Sequence, residues 1–248
     1  MNRFTNKVAL ITGGASGMGL ATARLLHAEG ATVVLSGRRA ELLTKVAGEL
    51  GERVLAVPAD VANLAELDEL YRRIDGELGR LDVVFANAGT AVFKPAAELT
   101  EAEFDRLVGV NLKGLFFTVT KALPLLERGA SIVLNASWTQ YRGLAGASLY
   151  AATKAAVTNL TRTLTAELAP RGIRVNSVSP GYIRTDMMTE AVPDPVTREA
   201  CRREVPLGEL GLPEQVAAAV AFLASDAAGY VAGTDLIVDG GLTYAPVR

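Results

Sequence analysis

Seven short runs of β-branched and other apolar residues recur along the chain, and each is separated from the next by a stretch of helical periodicity. No other feature restricts the fold as much. The runs are KVALIT (7–12), ATVVLS (31–36), RVLAVPA (53–59), LDVVFANA (81–88), SIVLNAS (131–137), IRVNSVS (173–179) and TDLIVDG (234–240). Their near-continuous apolar character belongs to parallel strands covered on both faces. Parallel strands need crossovers, and the intervening segments supply helices. GLATARLLHAEG places Leu20, Ala23, Leu26 and Ala28 near one face and ends at Gly30. NLAELDELYRRIDGELG carries Leu64, Leu67, Tyr71, Ile74 and Leu78 at helical spacing behind Asn63 as N-cap. Residues 100–127 read as one long helix, opened by a capping box of Thr100 and Glu103. PEQVAAAVAFLAS starts with Pro213 in its first turn. Strand and helix alternating in this way predict an α/β, doubly wound sheet with right-handed crossovers. Nothing marks a second domain, so residues 1–248 read as one. The least regular segment, 181–212, contains Met187, Met188, Pro193, Pro195 and Pro206, and reads as a functional or mobile loop.

The bulk properties exclude several classes. Half the residues are apolar and the net charge is −2, with both signs scattered, so nothing recruits nucleic acid or an anionic membrane. One cysteine, Cys201, and one histidine, His27, cannot build a His/Cys metal site, and none is expected. The first residues lack a signal-peptide core, and VAAAVAFLA (216–224) is too short to span a bilayer. The expected compartment is the cytoplasm.

Two stretches carry chemistry. The first run ends in TGGASGMGLATA, with Gly13, Gly17 and Gly19 followed at once by a helix. Glycines permit a tight turn and close backbone approach, and the helix N-terminus presents N–H groups to a phosphate. In SLYAATKAAV, Tyr150 and Lys154 are four residues apart and share a helix face. A phenol of pKa about 10 is a poor acid or base at neutral pH. A neighbouring ammonium is expected to lower it, and roughly three units, or about 4 kcal/mol, would bring it to neutrality.

With the Tyr/Lys pair, the spacing Gly-x-x-x-Gly-x-Gly resembles that of the short-chain dehydrogenase/reductase family. Further family marks stand in order: ADV (59–61), NAG (87–89), Asn111 in VNLKG, Ser137, YAATK (150–154), SPG (179–181) and VDGG (238–241). The resemblance implies a Rossmann-type seven-stranded parallel sheet of order 3-2-1-4-5-6-7 with helices on both faces. It implies Asn111, Ser137, Tyr150 and Lys154 as the catalytic residues. Tyr150 is then the general acid or base, Ser137 a donor to the substrate oxygen, and Lys154 a ligand of the nicotinamide ribose. Asn111 holds a water that links Lys154 to solvent. Gly13, Ser16, Gly17, Met18 and Gly19 would form the dinucleotide turn, and Asp60 and Val61 would meet the adenine. Asn87, Ala88 and Gly89 would line the ribose. Pro180, Gly181, Ile183 and Thr185 would reach the nicotinamide end. Asp60 also reads as a loop acid, Asn111 as a surface residue, Thr185 as a helix cap and Ser148 as the cap of the Tyr150 helix.

No acid closes the second run to accept from a ribose 2′-hydroxyl; Gly37 and Arg38 stand there. Arg38, with Arg39 and Ser36, therefore favours NADP(H), since a guanidinium pairs with a 2′-phosphate. Against that, relatives preferring NADP often carry a basic residue where this chain has Ser16, so NAD(H) stays open.

After Ser137 the chain reads WTQYRGLAG rather than a run of small residues. Trp138, Gln140, Tyr141, Leu144, Tyr182, Met187 and Met188 are the expected pocket wall, together with Thr90, Val92 and Phe93; Trp138 and Tyr141 read alternatively as subunit contacts. The reading is an NADP(H)-preferring oxidoreductase interconverting a small ketone and a secondary alcohol. The alternatives are an NAD-dependent sugar or polyol dehydrogenase, a 3-oxoacyl-carrier-protein reductase and, outside the enzymes, a dinucleotide sensor. The resemblance also implies a homotetramer, with a homodimer as the alternative.

Overall fold

The computed structural model describes residues 2–245. The apolar runs form β1 (Val8–Thr12), β2 (Thr32–Gly37), β3 (Val54–Pro58), β4 (Leu81–Ala86), β5 (Leu126–Asn135), β6 (Arg174–Pro180) and β7 (Asp235–Val238). They pair in parallel as one sheet of order β3-β2-β1-β4-β5-β6-β7. The helices are α1 (Gly17–Ala28), α2 (Ala40–Leu50), α3 (Leu64–Leu78), α4 (Glu101–Val108), α5 (Leu115–Ala122), α6 (Ser148–Leu168), α7 (Asp186–Ala191), α8 (Pro195–Glu204) and α9 (Pro213–Ala224).

Alternate strand residues feed opposite faces of the sheet. Leu10, Val34, Val84 and Leu134 pack against α3, α5 and α6 through Leu70, Val119 and Val157. Ile11, Leu35, Phe85 and Val133 pack against α1, α2 and α9 through Leu26, Leu43 and Val220. Each fully buried Leu, Ile or Phe stabilises this sandwich by roughly 1.5–3 kcal/mol. The expected end signals are in place. Asn63 accepts from the Ala65 N–H at 3.1 Å, Thr100 and Glu103 close a capping box, and Pro213 opens α9.

Four expectations change. Residues 100–127 are not one helix: α4 and α5 are joined by a π-helical turn, Gly109–Gly114, and the helical run stops at Leu125. The cause is packing. A Cβ on Gly114 would lie 2.8 Å from Val61 Cγ2 and 2.9 Å from the Val61 carbonyl, so the helix is drawn onto the β3–α3 loop. β5 begins at Leu126 rather than Ser131, because Leu126 pairs with Leu81 ahead of a register shift. Ser148 is the first helical residue of α6 and makes no cap bond; Ala147 is the N-cap. The segment 181–212 contains α7 and α8, opened by Thr185 and Asp194, which accept from first-turn N–H groups. No described helix is long and apolar enough to cross a membrane.

Candidate active site

The chain leaves β1 toward β2 on one side, while β4 lies on the other. The strands' C-terminal ends part there and open a crevice. The glycine turn lies at this point. Gly13 and Gly17 adopt φ of +65° and +51°, the left-handed region that favours glycine. Gly19 is needed for space instead: a Cβ there would sit 2.2 Å from the Gly13 carbonyl oxygen. The exit of β4 pins the turn. Asn87 Nδ2 donates to the Thr12 and Gly13 carbonyls at 2.9 and 3.4 Å. Thr12 Oγ1 accepts from the Asn87 and Ala88 N–H groups at 3.0 and 3.1 Å. Asn87 thus braces the turn, and Ala88 and Gly89 carry the strand end. Ser16 is the N-cap of α1, yet its hydroxyl makes no capping bond and the first turn holds no acid; Met18 carries the carbonyl that accepts from Thr22. An uncapped helix N-terminus behind a glycine cradle fits a pyrophosphate.

At the end of β2, Ser36 is fully buried and its hydroxyl has no partner. Arg38 is exposed beside it, and Arg39 Nη2 donates to Ser16 Oγ at 2.7 Å. Arg39 is the exposed N-cap of α2, and its side chain spans from the end of β2 to the glycine turn. Asp60 Oδ1 accepts from the Ala62 N–H at 3.0 Å, so it also serves its own loop, and Val61 is buried under Gly114.

Beyond β5 the four residues expected to be catalytic converge. Ser137 lies two residues past the strand rather than at its last position. It caps a short turn, its Oγ accepting from the Thr139 N–H at 3.3 Å and the Thr139 hydroxyl at 3.0 Å. Tyr150, in the first turn of α6, packs its ring on Phe93 at 5.4 Å between centroids. Lys154 is buried one turn on; its Nζ donates to the Asn135 carbonyl at 2.7 Å and stands 5.7 Å from the Tyr150 ring centroid. Gly89 leaves room for it: a Cβ there would lie 3.7 Å from Lys154 Nζ and 3.5 Å from Asn111 Oδ1.

Asn111 is fully buried in the π-helical turn, not on the surface. Its Oδ1 accepts from the Thr90 N–H at 2.8 Å, and Nδ2 donates to the Thr90 carbonyl at 2.9 Å and to Thr153 Oγ1 at 3.2 Å. Both amide hydrogens are engaged, so a water could meet only its oxygens.

The expected lowering of the Tyr150 pKa by Lys154 is not present in the protein alone. Burial raises the phenol, while the Ser137 hydroxyl beside it acts in the opposite sense. Burial lowers the Lys154 ammonium to about 8. The reason is geometric: Nζ lies toward the ring and is committed to a carbonyl, while both groups lose water. A phenol held neutral is suited to donating a proton to an oxygen held at Ser137.

The expected pocket wall divides. Trp138 is only 3% exposed, packed edge-on against Tyr182 at 5.1 Å between centroids, and serves as buried support rather than open wall or subunit contact. Gln140 Nε2 donates to Ser179 Oγ at 2.9 Å. Tyr141 turns away, its hydroxyl donating to Asp235 Oδ2 at 2.8 Å at the start of β7. Leu144 is half-buried, and Met187 and Met188 lie on α7, with Met187 exposed. A Cβ on Gly181 would lie 2.7 Å from Asp239 Cβ, so Pro180–Gly181 turns tightly beside the end of β7. Ile183 is buried, and Thr185 caps α7 while its Cγ2 lies 3.3 Å from where a Gly17 Cβ would stand. The start of α7 thus overhangs the glycine turn. Sequence reasoning missed Thr12 and Asn135. Their signal was a polar residue ending an apolar strand. Among the described residues no group of three or more His, Cys, Asp or Glu is placed to hold a metal.

Comparison with known proteins agrees with this fold. A family model described as enoyl-(acyl carrier protein) reductase matches residues 13–243. The chain is 42% identical to cis-4-hydroxycyclohexanecarboxylate dehydrogenase of Sinomonas cyclohexanicum, over 97% of this chain and 98% of that protein. It superposes with a TM-score of 0.93 on a short-chain dehydrogenase/reductase of Brucella melitensis, described as a glucose/ribitol dehydrogenase. They share 37% identity, and the match covers 97% of this chain and 98% of that one. A 3-ketoacyl-(acyl-carrier-protein) reductase of the same organism, solved with NADH, gives a TM-score of 0.91 at 34% identity, covering 97% of this chain and 99% of that one.

Proposed function

The chain belongs to the short-chain dehydrogenase/reductase family, oxidoreductases of CH–OH and C=O groups, and on that premise we propose an NADP(H)-preferring enzyme that interconverts a small ketone and a secondary alcohol. One observation carries the reading: the Ser137 hydroxyl and the Tyr150 phenol stand together above Lys154 at the crevice beside the glycine turn. The bound dinucleotide supplies or accepts the hydride. Ser137 holds the carbonyl oxygen, and Tyr150 delivers the proton to it in reduction and withdraws it in oxidation. Lys154 would hold a ribose hydroxyl and favour the phenolate once the site is loaded. Asn111 fixes Thr90 and Thr153 around that cation. Phe93 beside Tyr150 and the neutral groups around Ser137 favour an uncharged, compact ketone, and a cyclic one suits that aromatic wall.

The preference for NADP(H) rests on the end of β2. No carboxylate stands there to accept from a ribose 2′-hydroxyl, Arg38 is exposed beside the unpartnered Ser36 hydroxyl, and Arg39 reaches Ser16 from the same side. Arg39 then supplies charge on the glycine-turn side, where Ser16 has none. NAD(H) is the alternative cofactor. Arg38→Gln is expected to weaken NADPH binding about tenfold and leave NADH binding within about twofold, the loss of one charge-assisted contact. Calorimetric titration of both dinucleotides checks it, and equal weakening of the two would remove Arg38 from the 2′-phosphate site. The family reading also favours a homotetramer, with a homodimer as the alternative, whose contacts would cover the exposed Phe104 of α4 and Phe222 of α9.

A further inference from the structure

We propose that Arg142 is a positioning residue that latches α8 onto the turn carrying Ser137; the inference rests on reading that turn as the carbonyl site. Its guanidinium meets three stretches of chain. Nη2 donates to Glu204 Oε2 at 2.8 Å, at the C-terminal end of α8. Nη1 donates to the Leu242 carbonyl at 3.4 Å, just past β7. The guanidinium carbon lies 5.8 Å from the centroid of Trp138, the residue next to Ser137. Trp138 in turn meets Tyr182 edge-on, and Tyr182 lies beside Cys201 of α8.

α8 itself is held at few points. Cys201 is its only buried residue, and α7 before it buries none. Apolar burial, which fixes the other helices to the sheet, contributes little here. The C-terminal end of α8 is held by the buried Val205, by the Leu207 N–H donating to the Gly240 carbonyl at 3.2 Å, by Tyr182 beside Cys201, and by the ion pair, whose side chains are 36% and 40% exposed. A pair so open to water is weak and reforms readily. It sets placement rather than stability. It holds α8 against Trp138, the neighbour of Ser137, and so shapes the approach to that serine.

The chain has one tryptophan, so its emission reports Trp138 alone. Glu204→Gln keeps the side-chain size and removes the charge. Acrylamide quenching of Trp138 is expected to rise at least twofold in this variant. KM for a ketone should rise roughly fivefold, with kcat less affected and the NADPH dissociation constant unchanged. Arg142→Gln should do the same, and the double variant no more than either single. Quenching and KM at wild-type values in both variants, or additive effects in the double variant, would overturn the latch. If the wild-type protein reduces no ketone, the reading of the site fails, while the quenching result still decides the latch.

Discussion

Tyr150→Phe is expected to lower the turnover of a ketone by about a thousandfold while dinucleotide affinity stays within about twofold. The substitution removes one oxygen and keeps the ring, so the packing on Phe93 persists. No other group takes over the proton. Lys154 Nζ is turned to the Asn135 carbonyl. A serine hydroxyl is far too weak an acid for the task. kcat and kcat/KM should fall together, because the lost interaction belongs to the transition state. Steady-state rates beside a direct NADPH titration check this. A variant that keeps a tenth or more of wild-type turnover would mean that the proton comes from elsewhere.

Gly19→Ala is expected to abolish dinucleotide binding and to destabilise the fold by roughly 3 kcal/mol. The added Cβ would lie 2.2 Å from the Gly13 carbonyl oxygen and 2.7 Å from Asn87 Nδ2. The first of these is backbone, which cannot swing aside. Relief requires the turn to move off the exit of β4, breaking the bonds from Asn87 to the Thr12 and Gly13 carbonyls. The midpoint of thermal unfolding should drop by roughly 6–12 °C for a chain of this size. Gly48→Ala is the control. Gly48 lies in α2 with nothing within 4 Å of its added Cβ, so Ala there should be neutral or slightly stabilising. A Gly19→Ala protein that binds NADPH like wild type would show that the turn is slack and is not the phosphate cradle.

The parts of this protein legible in the sequence are those fixed by local chemistry or by repetition. Strand runs such as VALIT and LDVVFA are apolar, Thr12 and Asp82 apart, because both faces of the sheet are covered, and that pattern needs no partner to be read. Asn63, Thr100 with Glu103, and Pro213 each act within a few residues of themselves. The break between α4 and α5 was hidden because its cause, Val61 pressing on Gly114, lies far away in the chain. The start of β5 was hidden likewise, since Leu126 is strand only through its pairing with Leu81. At the site, the order of Asn111, Ser137, Tyr150 and Lys154 was readable, but their electrostatics were not. Whether Lys154 lowers the Tyr150 phenol depends on where its Nζ points and on how much water both groups lose. Trp138 and Tyr141 show the same limit. Bulky residues beside a catalytic serine read as a wall, yet one is buried under Arg142 and the other turns to Asp235.

The most direct measurement is the initial rate of NADPH and NADH oxidation by the wild-type protein against uncharged ketones: cyclohexanone, acetophenone and a short 2-hydroxyketone. The account predicts turnover of at least one cyclic or aromatic ketone, faster with NADPH than with NADH. Tight binding of NADPH with no turnover on any of them would contradict it, and would leave the site as a place where a dinucleotide is held but not used.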